Sequence, residues 1–183
     1  MDICVTKAEH FKTFLNFIKS WPVKKNISYH LQYIEFLYKV KNIHNPKSTT
    51  LSLINKTIII EYFTVIEAII DALLCQLDVK VNDKEFVPIE IHEYTNATEL
   101  LSLARKYKVI DTTMHSQLGQ IKDTRNHIHI KRPRKNQKPE YEEYTRELLE
   151  KRERMFKSFM EYLFNKYSVN NPNIYPWPWK IKV

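Results

Sequence analysis

Apolar residues recur at steps of three and four along most of the chain, the spacing of amphipathic helices. Ala8, Phe11, Phe14, Leu15 and Ile18 predict a first helix from about Lys7 to Trp21. Pro22 is expected to stop or bend it, because its ring removes a backbone donor and crowds the preceding turn. Leu31, Ile34, Leu37 and Tyr38 predict a second helix over about Ser28–Ile43, with Asn45-Pro46 as the break. The longest periodic stretch is Ser48–Leu77, where Ile54, Ile58, Val65, Ile69 and Ala72 share one face. Ile59, Tyr62, Ile66, Ile70 and Leu73 occupy another. A helix apolar around most of its circumference belongs at the centre of a bundle or in a subunit contact. Thr64, Glu67 and Asp71 form a narrow polar line along it, read either as a solvated strip or as carboxylates that orient a cation.

Asp78–Thr95 breaks the helical period, and its run Phe86–Ile91 is read as a small strand or an ordered loop. Asn96 with Glu99 resembles a capping box that opens a helix through Leu100, Leu103 and Ala104 to about Tyr107. Asp111 then caps a helix whose apolar line is Ile110, Met114, Leu118, Ile121 and Ile128. Arg125 interrupts that line. At ~100° per residue, His129 lies about 40° round from Arg125 and one turn along, while His127 points to nearly the opposite side. Lys131-Arg132-Pro133-Arg134-Lys135-Asn136-Gln137-Lys138-Pro139 follows as a basic loop that its prolines keep from helix. A last long helix, about Glu140–Tyr167, carries Tyr141, Tyr144, Leu148, Met155, Phe159 and Leu163, flanked by Leu149, Phe156, Met160 and Phe164. Residues 171–183, with Trp177 and Trp179 among prolines, form a tail expected to dock on the single domain of residues 1–170.

Composition narrows the classes. With 183 residues, 43% of them hydrophobic, the chain can build a real core. One glycine, Gly119, excludes the dinucleotide-binding and Walker A loops, so the expected class is all-α. The formal charge of +8 favours an anionic partner such as nucleic acid. Cys4 and Cys75 have neither metal spacing nor a disulfide framework, which suggests a reducing, cytoplasmic setting. The first ten residues lack the apolar run of a secretory signal, and Glu61, Glu67 and Asp71 interrupt the most apolar segment, so no membrane association is expected.

A guanidinium and an imidazole one helical turn apart are a minimal kit for cutting RNA without a metal or other cofactor. Histidine as a residue type titrates near neutrality, so His129 can take the proton of a ribose 2′-hydroxyl or supply one to the leaving 5′-oxygen. Arg125 is always charged, and its fork can hold the negative charge that grows on the phosphoryl oxygens. Lys131, Arg132, Arg134 and Lys135 lie where cations can grip the phosphates of an RNA strand. Glu67 is the candidate that orients Arg125. One histidine serves one end of the reaction well; a two-fold dimer that brings two copies of this helix together supplies the second.

In this setting Thr124-Arg125-Asn126-His127-Ile128-His129 resembles the signature of HEPN domains, small helical bundles that include metal-independent ribonucleases of toxin and abortive-infection systems. The resemblance makes Arg125, Asn126 and His129 the catalytic set, with three residues between Arg and His where the family usually has four to six. It extends loosely to the long helix around Glu61–Ile70 and leaves the N-terminal helices and the tail as additions. It implies an antiparallel helical bundle and a homodimer with the motifs facing across a cleft. It also implies a cyclic-phosphate product and possible restraint by an antitoxin or other partner.

Three other readings stand beside it. A binding module of the same fold would hold RNA or a nucleotide with Arg125 and the basic loop but leave RNA uncut. A metal site at His127-x-His129 would need a strand to bring both rings to one side. A packing role would use Arg125 as an ion-paired cation suited to a helix C-terminus.

Overall fold

The computed structural model describes residues 3–81, 85–88, 96–126 and 140–167, and for 78–81, 85–88, 126, 140 and 141 it describes the backbone. Within these, the chain is helical apart from one hairpin. The order is α1 (Ala8–Lys12), α2 (Trp21–His44), α3 (Ser48–Cys75), β1 (Asp78–Val81), β2 (Glu85–Pro88), α4 (Ala97–Lys106), α5 (Thr112–Asn126), α6 (Glu140–Glu143) and α7 (Arg146–Lys166). The open reading of 78–95 resolves in part: β1 and β2 pair antiparallel, with Val79 opposite Val87.

The apolar circumference of α3 has the expected consequence. Ile58, Ile59, Tyr62, Phe63, Val65, Ile66, Ile69 and Ile70 are fully buried, and α3 packs against α2, α4, α5, α6 and α7. Its pairing with α2 is antiparallel, since Lys41 donates to Asn55 and His30 meets Glu61 nearer the other end. Hydroxyls stitch the centre: Tyr38 donates to Glu153 at 2.8 Å and lies 2.7 Å from the Tyr62 hydroxyl, so α2, α3 and α7 share one hydrogen-bond chain. Burial pushes both phenols well above their ordinary pKa, keeping them neutral donors.

Three boundaries differ from the sequence reading. The first helix ends at Lys12, and the chain continues through turns with i to i−3 bonds such as Leu15 N–H to Lys12 and Ile18 N–H to Leu15. Leu15 and Ile18 are still buried, because a spacing of three suits tight turns as well as a helix. Pro22 does not end a helix; it sits in the first turn of α2, where its missing donor has no intrahelical partner to lose. The last helix is broken: α6 stops at Glu143 and Thr145 caps α7, its hydroxyl accepting from Leu148 N–H.

That break is fastened from several sides. The Tyr144 carbonyl, released from helix bonding, accepts from Asn55 at 3.0 Å and from Ser52 at 3.4 Å on α3. Its buried phenol donates to the Thr124 carbonyl in the last turn of α5. The ends of α5 and α6 are thereby tied to the central helix.

Candidate functional site

Helix α5 begins where expected, with the Asp111 carboxylate accepting from Met114 N–H at 2.7 Å. Asn96 likewise caps α4, accepting from Thr98 and Glu99 N–H groups. Ile110, Met114, Leu118 and Ile121 are buried, so the apolar line of α5 faces the core up to its last turn.

In that turn the inward position belongs to Thr124. Arg125 lies at the edge of the core, its side chain 39% exposed. The sequence pattern put Arg125 within the apolar line of α5; the structure puts it beside that line, with Thr124 inward. Its guanidinium lies over the Phe63 ring, Cζ to centroid 5.8 Å, and Nη2 is 3.8 Å from the Glu67 carboxylate. The Glu67 separation is an ion pair longer than a hydrogen bond, and one this open to water contributes at most about 1 kcal/mol. Its value is directional: Phe63 and Glu67 are one turn apart on α3 and hold the guanidinium at the rim of that helix.

Glu67 bears the cost of the arrangement. Burial raises its pKa above the ordinary 4.5, and Arg125 pulls in the opposite direction without cancelling that effect. The folded protein therefore holds this proton more tightly than the unfolded chain. The resulting stability is full at low pH, and its decline starts as pH rises past the ordinary value and ends at the raised one. Glu67→Gln removes the titration. Unfolding midpoints measured from about pH 4 to about pH 7 should fall less steeply with pH in this variant than in wild type. Parallel slopes would mean that Glu67 titrates normally. Asp71, also raised by burial, acts in the same direction in both proteins.

A residue that the sequence reading passed over fixes the end of α5. Arg152 of α7 is only 9% exposed, and its Nε donates to the Thr124 hydroxyl at 2.9 Å while Nη1 reaches Gln120. Burial lowers its pKa, with Asp123 acting the other way, although a guanidinium stays charged throughout the usual pH range. The signal was present: Arg152 stands three residues after Leu149 and four before Phe156, inside the apolar line of α7. Thr124 is thus held twice, by Arg152 at its hydroxyl and by Tyr144 at its carbonyl. Arg125 is the next residue.

Beside this turn opens a cleft of about 510 Å³, lined in part by Gln120, Asp123, Thr124, Glu142 and Arg152. The carboxylates of Asp123 and Glu142 make it a poor seat for a phosphodiester. Arg125 instead faces α3. Among the described residues, no group of three or more His, Cys, Asp or Glu side chains could hold a metal ion, and both cysteines are free and exposed. No described helix is long and apolar enough to cross a membrane.

Of the residues singled out from sequence, the structure brings Arg125 and Glu67 together and describes only the backbone of Asn126, the last residue of α5. His127, His129, Lys131, Arg132, Arg134 and Lys135 lie outside the described residues, as does the 171–183 tail. Compared with protein-family models, with curated proteins and with solved structures, the chain matches none of them.

Proposed function

We propose that this protein is a metal-independent endoribonuclease of the HEPN type, acting as a homodimer in which Arg125, Asn126 and His129 from each copy meet across a cleft. The observation that carries the reading is the treatment of Arg125. A turn clamped through its buried Thr124 delivers a partly exposed guanidinium held by an aromatic face and a carboxylate. A cation kept at an edge in this way is suited to meet a phosphate there.

In the proposed reaction the ribose 2′-oxygen attacks phosphorus and the bond to the 5′-oxygen breaks, leaving a 2′,3′-cyclic phosphate and a free 5′-hydroxyl. The 2′-hydroxyl proton goes to one His129 and the leaving oxygen receives a proton from the other, so protons balance over the dimer. Arg125 stabilises the charge on the non-bridging oxygens, and the basic run 131–135 holds the strand by its phosphates. Such an activity suits a toxin or antiviral effector under the restraint of a protein partner.

The test is purified protein with labelled single-stranded RNA in excess chelator. Wild type should cut and leave cyclic-phosphate ends, whereas His129→Ala should not; His127→Ala should retain most activity. Equal cutting by wild type and His129→Ala would remove the proposal. RNA bound by wild type but left intact would reduce the protein to a binding module.

A further inference from the structure

Helix α2 turns a line of large rings to solvent. Trp21 is 58% exposed, Tyr29 47%, Tyr33 42% and Phe36 38%, while the aliphatic residues Ile27, Leu31, Ile34 and Leu37 are buried and Ile43, near the end of the helix, is exposed. At ~100° per residue Tyr29, Tyr33 and Phe36 fall within about 60° of arc, with Trp21 about 80° round from Tyr29. Between Trp21 and Tyr29 lies Lys25, its ammonium 5.0 Å from one ring centroid and 5.7 Å from the other. Lys12 of α1 reaches the Trp21 ring as well, at 5.1 Å. The Tyr33 and Phe36 rings are stacked, 6.3 Å apart and 15° from parallel.

The charge pattern selects the occupant. The only carboxylate on α2 is Glu35, which is buried and paired with Lys39 at 2.8 Å. The ringed face itself carries no acid. Two acids of nearby elements are already paired: Glu9 with Lys12, and Glu61 with His30. Lys25 supplies a cation between Trp21 and Tyr29, and Lys12 a second over Trp21. From Trp21 to Phe36 the helix rises about 22 Å, room for several nucleotides of an unpaired strand. An apolar protein partner would gain from aliphatic knobs, and α2 keeps most of these inside.

We propose that this face is a stacking track for single-stranded nucleic acid, with bases on Trp21, Tyr29, Tyr33 and Phe36 and phosphates beside Lys25. Aromatic platforms interleaved with cations bind unpaired strands with little sequence preference. The choice of ligand rests on the ribonuclease reading, for which the track would hold substrate. Its test does not depend on cleavage.

Labelled oligodeoxythymidylate has no 2′-hydroxyl and cannot be cut by the proposed reaction, so its binding can be followed by fluorescence anisotropy. Wild type should bind it. Tyr29→Ala and Tyr33→Ala should each weaken binding by about tenfold, the loss expected when one base loses its ring. Lys25→Ala should flatten the dependence of log affinity on log salt by about 0.7. These side chains are exposed or at the surface, and unchanged circular dichroism and melting would confirm intact folding. Unchanged oligonucleotide affinity in the ring variants would overturn the track. If those variants instead dissociated a dimer in sedimentation, the face would belong to a second copy. If they lost only binding to phosphatidylserine vesicles, it would belong to a lipid surface. Ring-dependent oligonucleotide binding by a protein that cannot cut RNA would remove the nuclease reading and leave the track standing.

Discussion

Arg125→Ala should lower the rate of RNA cleavage by about 10²–10³-fold, the loss seen when one preorganised donor to a developing oxyanion is removed. The same substitution should leave the melting temperature within a few degrees of wild type. Both expectations come from the position of the side chain. Two of its contacts are a solvent-screened pair with Glu67 and a place over Phe63, together worth about 1–2 kcal/mol. Its proposed chemical contribution arises only when charge gathers on phosphorus-bound oxygens. Arg125→Lys keeps the charge but not the planar fork, so it should fall between wild type and alanine. Cleavage in chelator and thermal unfolding, measured on the same preparations, separate the two roles. An alanine variant that cuts as wild type does, or one that loses activity only in proportion to lost folding, would assign Arg125 to packing.

What could be read from the sequence followed from which physical signal was strong. Helix α3 was legible as an element to be covered on most sides because it carries two apolar faces, and of the two places this allowed, bundle centre or subunit contact, its burial within the chain gives the first. The caps at Asn96 and Asp111 were legible because a short polar side chain before an apolar period has one common structural use. The break at Tyr144–Thr145 was hidden, since the apolar period of α7 runs back through it. Only the capping character of Thr145, with Glu147 in the following turn, marked the start. Pro22 was misplaced because a proline between two apolar segments looks the same whether it ends one helix or begins the next.

The candidate site divides in the same manner. Interruption of an apolar line by a charged residue drew attention to Arg125, but periodicity alone could not say whether Thr124 or Arg125 takes the inward place. The deciding influence comes from another helix: Arg152 is buried and needs acceptors, and Thr124 and Gln120 provide them. Such a dependence between residues 28 apart leaves no trace in the local pattern of α5. The polar line Thr64, Glu67 and Asp71 was visible, and the structure gives Glu67 a cation at 3.8 Å on one side of it.

Phe156→Ala should destabilise the fold by about 3–5 kcal/mol, the range for truncating a fully buried aromatic residue. The ring is wholly inaccessible and lies 4.6 Å from the Tyr62 ring at 17°, in an offset stack between α7 and α3. Its removal opens a cavity against the Tyr62 ring, whose hydroxyl bonds that of Tyr38, itself a donor to Glu153, so collapse of the surroundings would disturb those hydrogen bonds. Urea unfolding should show a lower midpoint with the slope unchanged, because the surface exposed on unfolding is nearly the same. A loss below about 1 kcal/mol would mean that α7 repacks freely against α3. The consequence would reach the candidate site: Arg152 is one turn before Phe156, and its grip on Thr124 is as secure as the seating of α7. Under conditions where the variant remains folded, a fall in RNA cleavage larger than the unfolded fraction accounts for would show that the seating of α7 helps to position Arg125.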